Sequence, residues 1–174
     1  MKSTAVLVGE PPVAMVAADL DGDKRSDLFF STFNEDTGMH YVATAVSAGT
    51  TFNLVSNSLL DGFSVGLGVA DLDKNGSPDF VYTPYNTYAM FAPGSNDGKL
   101  GTPQILNMGS GKELIGVAIG DVNGDQNLDL VVCSDSTDQV TVLLGSNSGA
   151  FTAKPSFTTG LSPTGVALGD ANRN

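Results

Sequence analysis

The sequence is poor in the residues that carry most catalytic and recognition chemistry. Its 174 residues include one cysteine, Cys133, one histidine, His40, no tryptophan, and eight lysines and arginines against 19 aspartates and glutamates. One cysteine excludes an intrachain disulfide, and a lone thiol in the apolar run 130–133 reads as a small core residue. His40 has no second His, Cys or carboxylate at transition-metal spacing, so it reads as an ordinary strand residue beside Tyr41 rather than a catalytic base. The basic residues are scattered singly, which leaves no cationic stripe for a nucleic acid. No apolar run reaches 18 residues, so membrane insertion by a helix is not expected. Residues 1–4 lack the apolar stretch of a secretory leader, and export would need a leader already removed or a parent chain upstream. No amphipathic helical period appears, and there is no Gly-x-Ser-x-Gly elbow, P-loop or dinucleotide fingerprint around Ser64, Ser134 or the Gly-Ser-Asn turns at 94 and 145. With no acid–base or nucleophilic constellation, the chain is not expected to be an enzyme.

What the sequence has instead is aspartate, and it is placed with regularity. Three nine-residue loops recur: Asp19-Leu-Asp21-Gly-Asp23-Lys-Arg-Ser-Asp27, Asp71-Leu-Asp73-Lys-Asn75-Gly-Ser-Pro-Asp79 and Asp121-Val-Asn123-Gly-Asp125-Gln-Asn-Leu-Asp129. A fourth begins as Asp170-Ala-Asn172-Arg-Asn174 and supplies only the first, third and fifth positions. The first aspartates lie 52, 50 and 49 residues apart, so a unit of about 50 residues repeats, in the range of propellers and solenoids. Ten of the 19 acidic residues sit within the 27 loop positions. Carboxylates at that density repel, and a hard cation is the ordinary relief. One divalent ion per complete loop, three in all, would move the formal net charge from −11 to −5.

Each loop is flanked by short apolar runs bounded by Gly, Asn and Asp: 13–18 and 28–30, 65–70 and 80–82, 115–120 and 130–132, with 165–169 before the incomplete loop. Runs of this length read as strands, and the two flanking a loop should form an antiparallel hairpin with the acidic loop at its tip. A third run (40–46, 87–91, 139–144) and a fourth (51–54, 103–108, 150–157) complete four strands per unit. The residue before each first aspartate is always small (Ala18, Ala70, Gly120, Gly169), as where backbones crowd. The fold expected is all-β, a single β-propeller domain over 1–174. Its four-stranded blades correspond to units 13–62, 63–114 and 115–163, with partial units 1–12 and 164–174. About three blades do not close a ring, so a larger propeller or a homo-oligomer is expected to provide closure. Of the aromatic cluster Tyr82, Tyr85, Tyr88 and Phe91, the simplest reading is packing between blades, with stacking on a sugar the alternative.

Two stretches carry a family resemblance. Phe63-Ser-Val-Gly-Leu-Gly-Val-Ala-Asp71 through Asp79-Phe-Val-Tyr-Thr-Pro84 resembles the FG-GAP repeat of integrin α-subunit propellers and their bacterial relatives. Gly116-Val-Ala-Ile-Gly-Asp121 through Gly145-Ser-Asn-Ser-Gly149-Ala-Phe151 is similar to the VCBS-type repeats of bacterial secreted proteins. The resemblance implies one blade per repeat, with calcium in the loop joining its first two strands. It covers three complete units and two partial ones, with Asn in place of Asp at 75 and 123.

Calcium takes about six to eight oxygens, and short Asp side chains at alternate positions converge on one ion. The candidate ligands are then Asp19, Asp21, Asp23 and Asp27; Asp71, Asp73, Asn75 and Asp79; and Asp121, Asn123, Asp125 and Asp129. By analogy with the family, the carbonyls of Arg25, Ser77 and Asn127 join them at the seventh position. Charge count makes the first loop the tightest. An EF-hand is excluded, because its twelfth-position Glu is replaced by Phe30, Tyr82 or Val132. The function expected is a calcium-binding propeller module that mediates protein or carbohydrate binding outside the cell. The alternatives are part of a secreted polysaccharide-degrading enzyme and a purely structural assembly fragment.

Overall fold

A computed structural model describes residues 11–60, 62–85, 88–108 and 113–170. Among the described residues there is no helix, only thirteen strands: β1 (Pro12–Ala18), β2 (Asp27–Asn34), β3 (Met39–Ser47), β4 (Phe52–Leu60), β5 (Ser64–Ala70), β6 (Asp79–Pro84), β7 (Ala89–Ala92), β8 (Gln104–Leu106), β9 (Leu114–Gly120), β10 (Asp129–Ser134), β11 (Gln139–Leu144), β12 (Thr152–Ala153) and β13 (Phe157–Thr158). They form three antiparallel meanders, β1-β2-β3-β4, β5-β6-β7-β8 and β9-β10-β11-β12, with β13 also on β11. None closes on itself. These are the blades.

The three acidic hairpins close in one register. Ala18 pairs with Asp27, Ala70 with Asp79 and Gly120 with Asp129, so the small residue before each loop faces the loop's last aspartate. The fourth strand of the third blade departs from the expected run over 150–157. It is two short pieces, Leu143 and Leu144 facing Ala153 and Thr152, then Gln139 and Val140 facing Thr158 and Phe157. Pro155 between them has no N–H for the ladder, so pairing breaks there. The run 165–169, expected as a strand, forms no strand. The expected positions Asn172 and Asn174, residues 1–10 of the partial unit 1–12, and Thr87 lie outside the described residues.

The sheets stack face to face. Leu20, Phe29, Val42 and Leu60 of the first blade meet Phe80, Tyr82 and Ala92 of the second. Phe29 and Phe80 lie 5.0 Å apart between ring centroids. On the second blade's other face, Leu72, Val81, Ala89, Phe91, Leu106 and Met108 meet Leu114, Leu130, Val132 and Leu143 of the third. Covered on both sides, β6 and β10 are buried at every position, which is why they read as continuous apolar runs rather than alternating ones. Cys133 is buried in β10, as a small core residue should be, and burial pushes its thiol above the usual range.

The first strands β1, β5 and β9 are neighbours across the blades. A Cβ on Gly66 would lie 3.1 Å from Gly116 Cα, and one on Gly116 would lie 3.2 Å from Gly165 Cα. The inner strands therefore approach backbone to backbone, and the run 165–169 continues the series beside β9. Because every first strand runs toward its acidic loop, all three loops lie at one end of the blades. The β2–β3 and β10–β11 connections lie at the other end.

Candidate metal centre

Each loop is built by its own side chains. The fourth and sixth positions are left-handed throughout: Gly22 (φ 82°) and Lys24 (φ 68°), Lys74 (φ 60°) and Gly76 (φ 87°), Gly124 (φ 79°) and Gln126 (φ 70°). The turn this makes wraps the loop around the first carboxylate. Asp19 accepts from Gly22 N (2.8 Å) and Lys24 N (2.9 Å), Asp71 from Gly76 N (3.0 Å), and Asp121 from Gly124 N (2.7 Å) and Gln126 N (2.8 Å). The Gln126 N–H first, with the other loop amides, holds the Asp121 carboxyl below the usual range. Third positions accept from fifth amides and fifth from seventh: Asp73 from Asn75 N (3.0 Å), Asn75 from Ser77 N (2.7 Å), Asn123 from Asp125 N (2.8 Å) and Asp125 from Asn127 N (2.7 Å).

One left-handed position in every loop holds a residue with a Cβ, a conformation that costs about 1–2 kcal/mol. Gln126→Gly should therefore stabilise the protein by roughly 0.5–1 kcal/mol, after the added freedom of the unfolded chain is deducted. Urea unfolding in chelator checks this, and a loss of stability would contradict it.

The ninth aspartates do something the sequence did not announce. Asp27, Asp79 and Asp129 are fully buried, and both oxygens of each accept backbone N–H groups. One oxygen holds the loop itself, through Leu20 N (2.7 Å), Leu72 N (2.9 Å) or Val122 N (2.9 Å). The other reaches the end of the third strand, at Ser47 N (2.7 Å), Gly94 N (2.9 Å) or Gly145 N (2.8 Å). Each carboxylate therefore ties its hairpin tip to the outer half of its blade. Burial pushes the Asp79 carboxyl above the usual range, against the pull of Gly94 N and Leu72 N. The signal in the sequence was the Gly-Ser-Asn repeated at 94 and 145.

The structure brings carboxylate oxygens of Asp19, Asp21 and Asp27 within 4.8 Å of one another, and likewise those of Asp71, Asp73 and Asp79. In the second loop, Asp71 Oδ1 is buried without a hydrogen-bond partner. A buried carboxylate oxygen left bare is costly, and it lies in a set of oxygen donors that suits a hard cation. The residues present therefore fit such an ion. In the third loop, where Asn stands at the third position, Asn123 Nδ2 donates to Asp125 Oδ2 (2.9 Å), and Asn127 Oδ1 is buried without a partner.

Asp23, the extra carboxylate of the first loop, is outside the converging set and pairs with Arg25, whose guanidinium also donates to Ser47 O (3.4 Å). The Arg25 backbone N–H first, then its side chain, holds the Asp23 carboxyl below the usual range. The advantage that charge count gives the first loop is thus offset by a resident cation. Arg25→Ala should tighten divalent-ion binding at this loop by about fivefold, the scale of one exposed ion pair. Calorimetric titration checks it, and unchanged affinity would contradict it.

The FG-GAP-like repeat family matches residues 71–132 and, overlapping them, 121–174, together more than half of the sequence. The chain belongs to the FG-GAP-like repeat family. No curated protein matches it. Among solved structures, this FG-GAP-like chain is similar to one in the Photorhabdus luminescens Tc holotoxin pore, at 20% identity and a TM-score of 0.48. The likeness covers 87% of this chain, which spans 8% of the length of that one. FG-GAP-like repeats form propeller-type structural and binding modules, in keeping with the three blades and with acidic clusters able to hold a metal ion.

Proposed function

We propose that this FG-GAP-like chain is a calcium-clamped propeller module that is not itself an enzyme and that presents loops to a protein or carbohydrate partner outside the cell. The convergence of Asp71, Asp73 and Asp79 around a buried, unpartnered Asp71 oxygen carries the calcium reading. Asp19, Asp21, Asp23 and Asp27 would hold the ion in the first loop. Asp71, Asp73, Asn75 and Asp79 would hold it in the second, and Asp121, Asn123, Asp125 and Asp129 in the third, with the carbonyls of Arg25, Ser77 and Asn127 as further oxygens. When bound, calcium supplies charge neutralisation and a fixed loop shape. Magnesium suits these all-protein cages less well.

The residues carry the rest of the argument. The loops are already folded by their own hydrogen bonds, so an ion would find its ligands preorganised, and the ninth aspartates would pass its hold on the tip to the third strand. Calorimetric titration of chelator-stripped protein tests the reading. About three calcium ions per chain are expected, and no binding would reduce the loops to aspartate-rich turns.

A further inference from the structure

The Gly-Ser-Asn turns at 94 and 145 do more than end their own third strands. They are built alike, with Gly98 N donating to Ser95 O at 2.9 Å and Gly149 N to Ser146 O at 3.1 Å, and with Ser95 Oγ hydrogen-bonded to Lys99 O and Ser146 Oγ to Ala150 O. Gly94 and Gly145 tie each turn to the ninth aspartate of its own blade. The closing glycine of each turn lies against the preceding blade instead. A Cβ on Gly149 would stand 3.1 Å from Asp73 Cβ and 3.2 Å from the Phe91 ring, and one on Gly98 would stand 3.5 Å from Leu20 Cβ and 2.7 Å from Val46 Cγ1. Both glycines are left-handed, at φ 68° and 74°, so conformation and contact alike select glycine there.

The residues two further on complete the contact. Leu100 packs on the cluster that holds Leu20 and Phe29, and Phe151 on the one that holds Leu72 and Phe91, with the Phe91 and Phe151 rings 5.9 Å apart. The second residue of each acidic loop records the result. Leu20 is fully buried and Leu72 is 2% exposed, whereas Val122, with no such turn over it among the described residues, is 43% exposed. The first two loops are therefore shaped from both sides, by their own hydrogen bonds and by a turn of the next blade.

We propose that the turn of the following blade completes the ion sites of the first and second loops, so that calcium there latches two blades together, and that Gly98 and Gly149 are positioning residues for it. The inference rests on the calcium reading, in which Asp73 is a third-position ligand. A methyl group at 149 would push Asp73 aside by a few tenths of an ångström or unseat the turn, and oxygens that must converge at about 2.3–2.6 Å from one ion tolerate neither well. By linkage, an ion that fixes Asp73 favours the seated turn by the same factor with which the seated turn favours the ion. The turns contribute no candidate ligand, so their effect on the ion is separable from the loss of a ligand.

The test is calorimetric titration of the chelator-stripped full chain with calcium, alongside melting curves in chelator and in calcium. Gly149→Ala should weaken one site about tenfold and shrink the calcium-induced rise in melting temperature. Gly38→Ala, in the β2–β3 turn at φ 70° with nothing near its Cβ, imposes a similar backbone strain and should change calcium affinity less than twofold. On an Asp73→Ala background, which already lacks the second site, Gly149→Ala should leave the remaining sites within twofold. Equal calcium affinities in the Gly149→Ala and Gly38→Ala proteins would overturn the proposal while sparing the calcium reading. A loss that persists on the Asp73→Ala background would overturn it as well, as a general loosening of the blades. No binding by the unsubstituted chain would remove the calcium reading and this inference with it. Should Gly149→Ala fail to fold, Gly98→Ala decides at the first loop, with Asp21→Ala as its background, and unchanged affinity there overturns the proposal.

Discussion

Replacing Asp79 with alanine is expected to cost about 4 kcal/mol of folding stability, in chelator as well as in calcium. Its two oxygens accept from Leu72 N, Gly94 N and, at 3.3 Å, Asp73 N, all drawn toward a fully buried carboxylate. A buried donor left bare costs roughly 1–3 kcal/mol, and alanine leaves bare the buried Leu72 N and the half-buried Gly94 N and Asp73 N. A total of this size is a large share of the roughly 5–15 kcal/mol that holds a domain together. Asp79→Asn keeps one acceptor but turns an NH2 toward the other donors, so it should lose about half as much. Urea unfolding with and without calcium separates the two roles. A loss seen only in calcium would make Asp79 a metal ligand and nothing more.

Calcium itself should raise the melting temperature of the chelator-stripped protein by roughly 15–30 °C. At a hundredfold excess over its dissociation constant, an ion that binds only the folded state adds about 2.7 kcal/mol per site, so three sites add about 8 kcal/mol. For a chain of this length each kcal/mol moves the transition by about 2–4 °C. Asp21→Ala with Asp23→Ala should remove the first loop's share, about a third of the shift, and magnesium should reproduce only a minor part of it. Differential scanning calorimetry reads all three, and an unchanged transition would sink the calcium reading.

The repeat spacing and the apolar runs made the three hairpins legible. Expected runs 13–18, 65–70 and 115–120 became β1, β5 and β9 almost residue for residue, because turn residues bound them sharply. Less visible was what depends on contacts distant in sequence. The small residues Ala18, Ala70 and Gly120 marked crowding, yet neighbouring blades meet backbone to backbone at Gly66 and Gly116, which only stacking of the blades brings together. Of the four aromatics read as packing between blades, Tyr82 and Phe91 are buried there while Tyr85 stands exposed, a distinction set by its place beyond the end of β6. The ninth aspartates showed their acidity in the sequence but not their second partners. Ser47, Gly94 and Gly145 lie 20, 15 and 16 residues further along, offsets fixed by strand lengths rather than by any local pattern.

The bare contact between inner strands bears on how such a chain can change over generations. Where Gly66 faces Gly116 and Gly116 faces Gly165, that line of contact carries no side-chain shape to match, although the faces beside it are packed side chain on side chain. A tandem duplication of one unit of about 50 residues would arrive already able to seat against the unit before it and receive the unit after it. Lineages can then gain or lose units by unequal recombination, each copy bringing its own packed faces with it. A single Gly116→Val would act as a terminator of that process, because the next copy would find no place to sit.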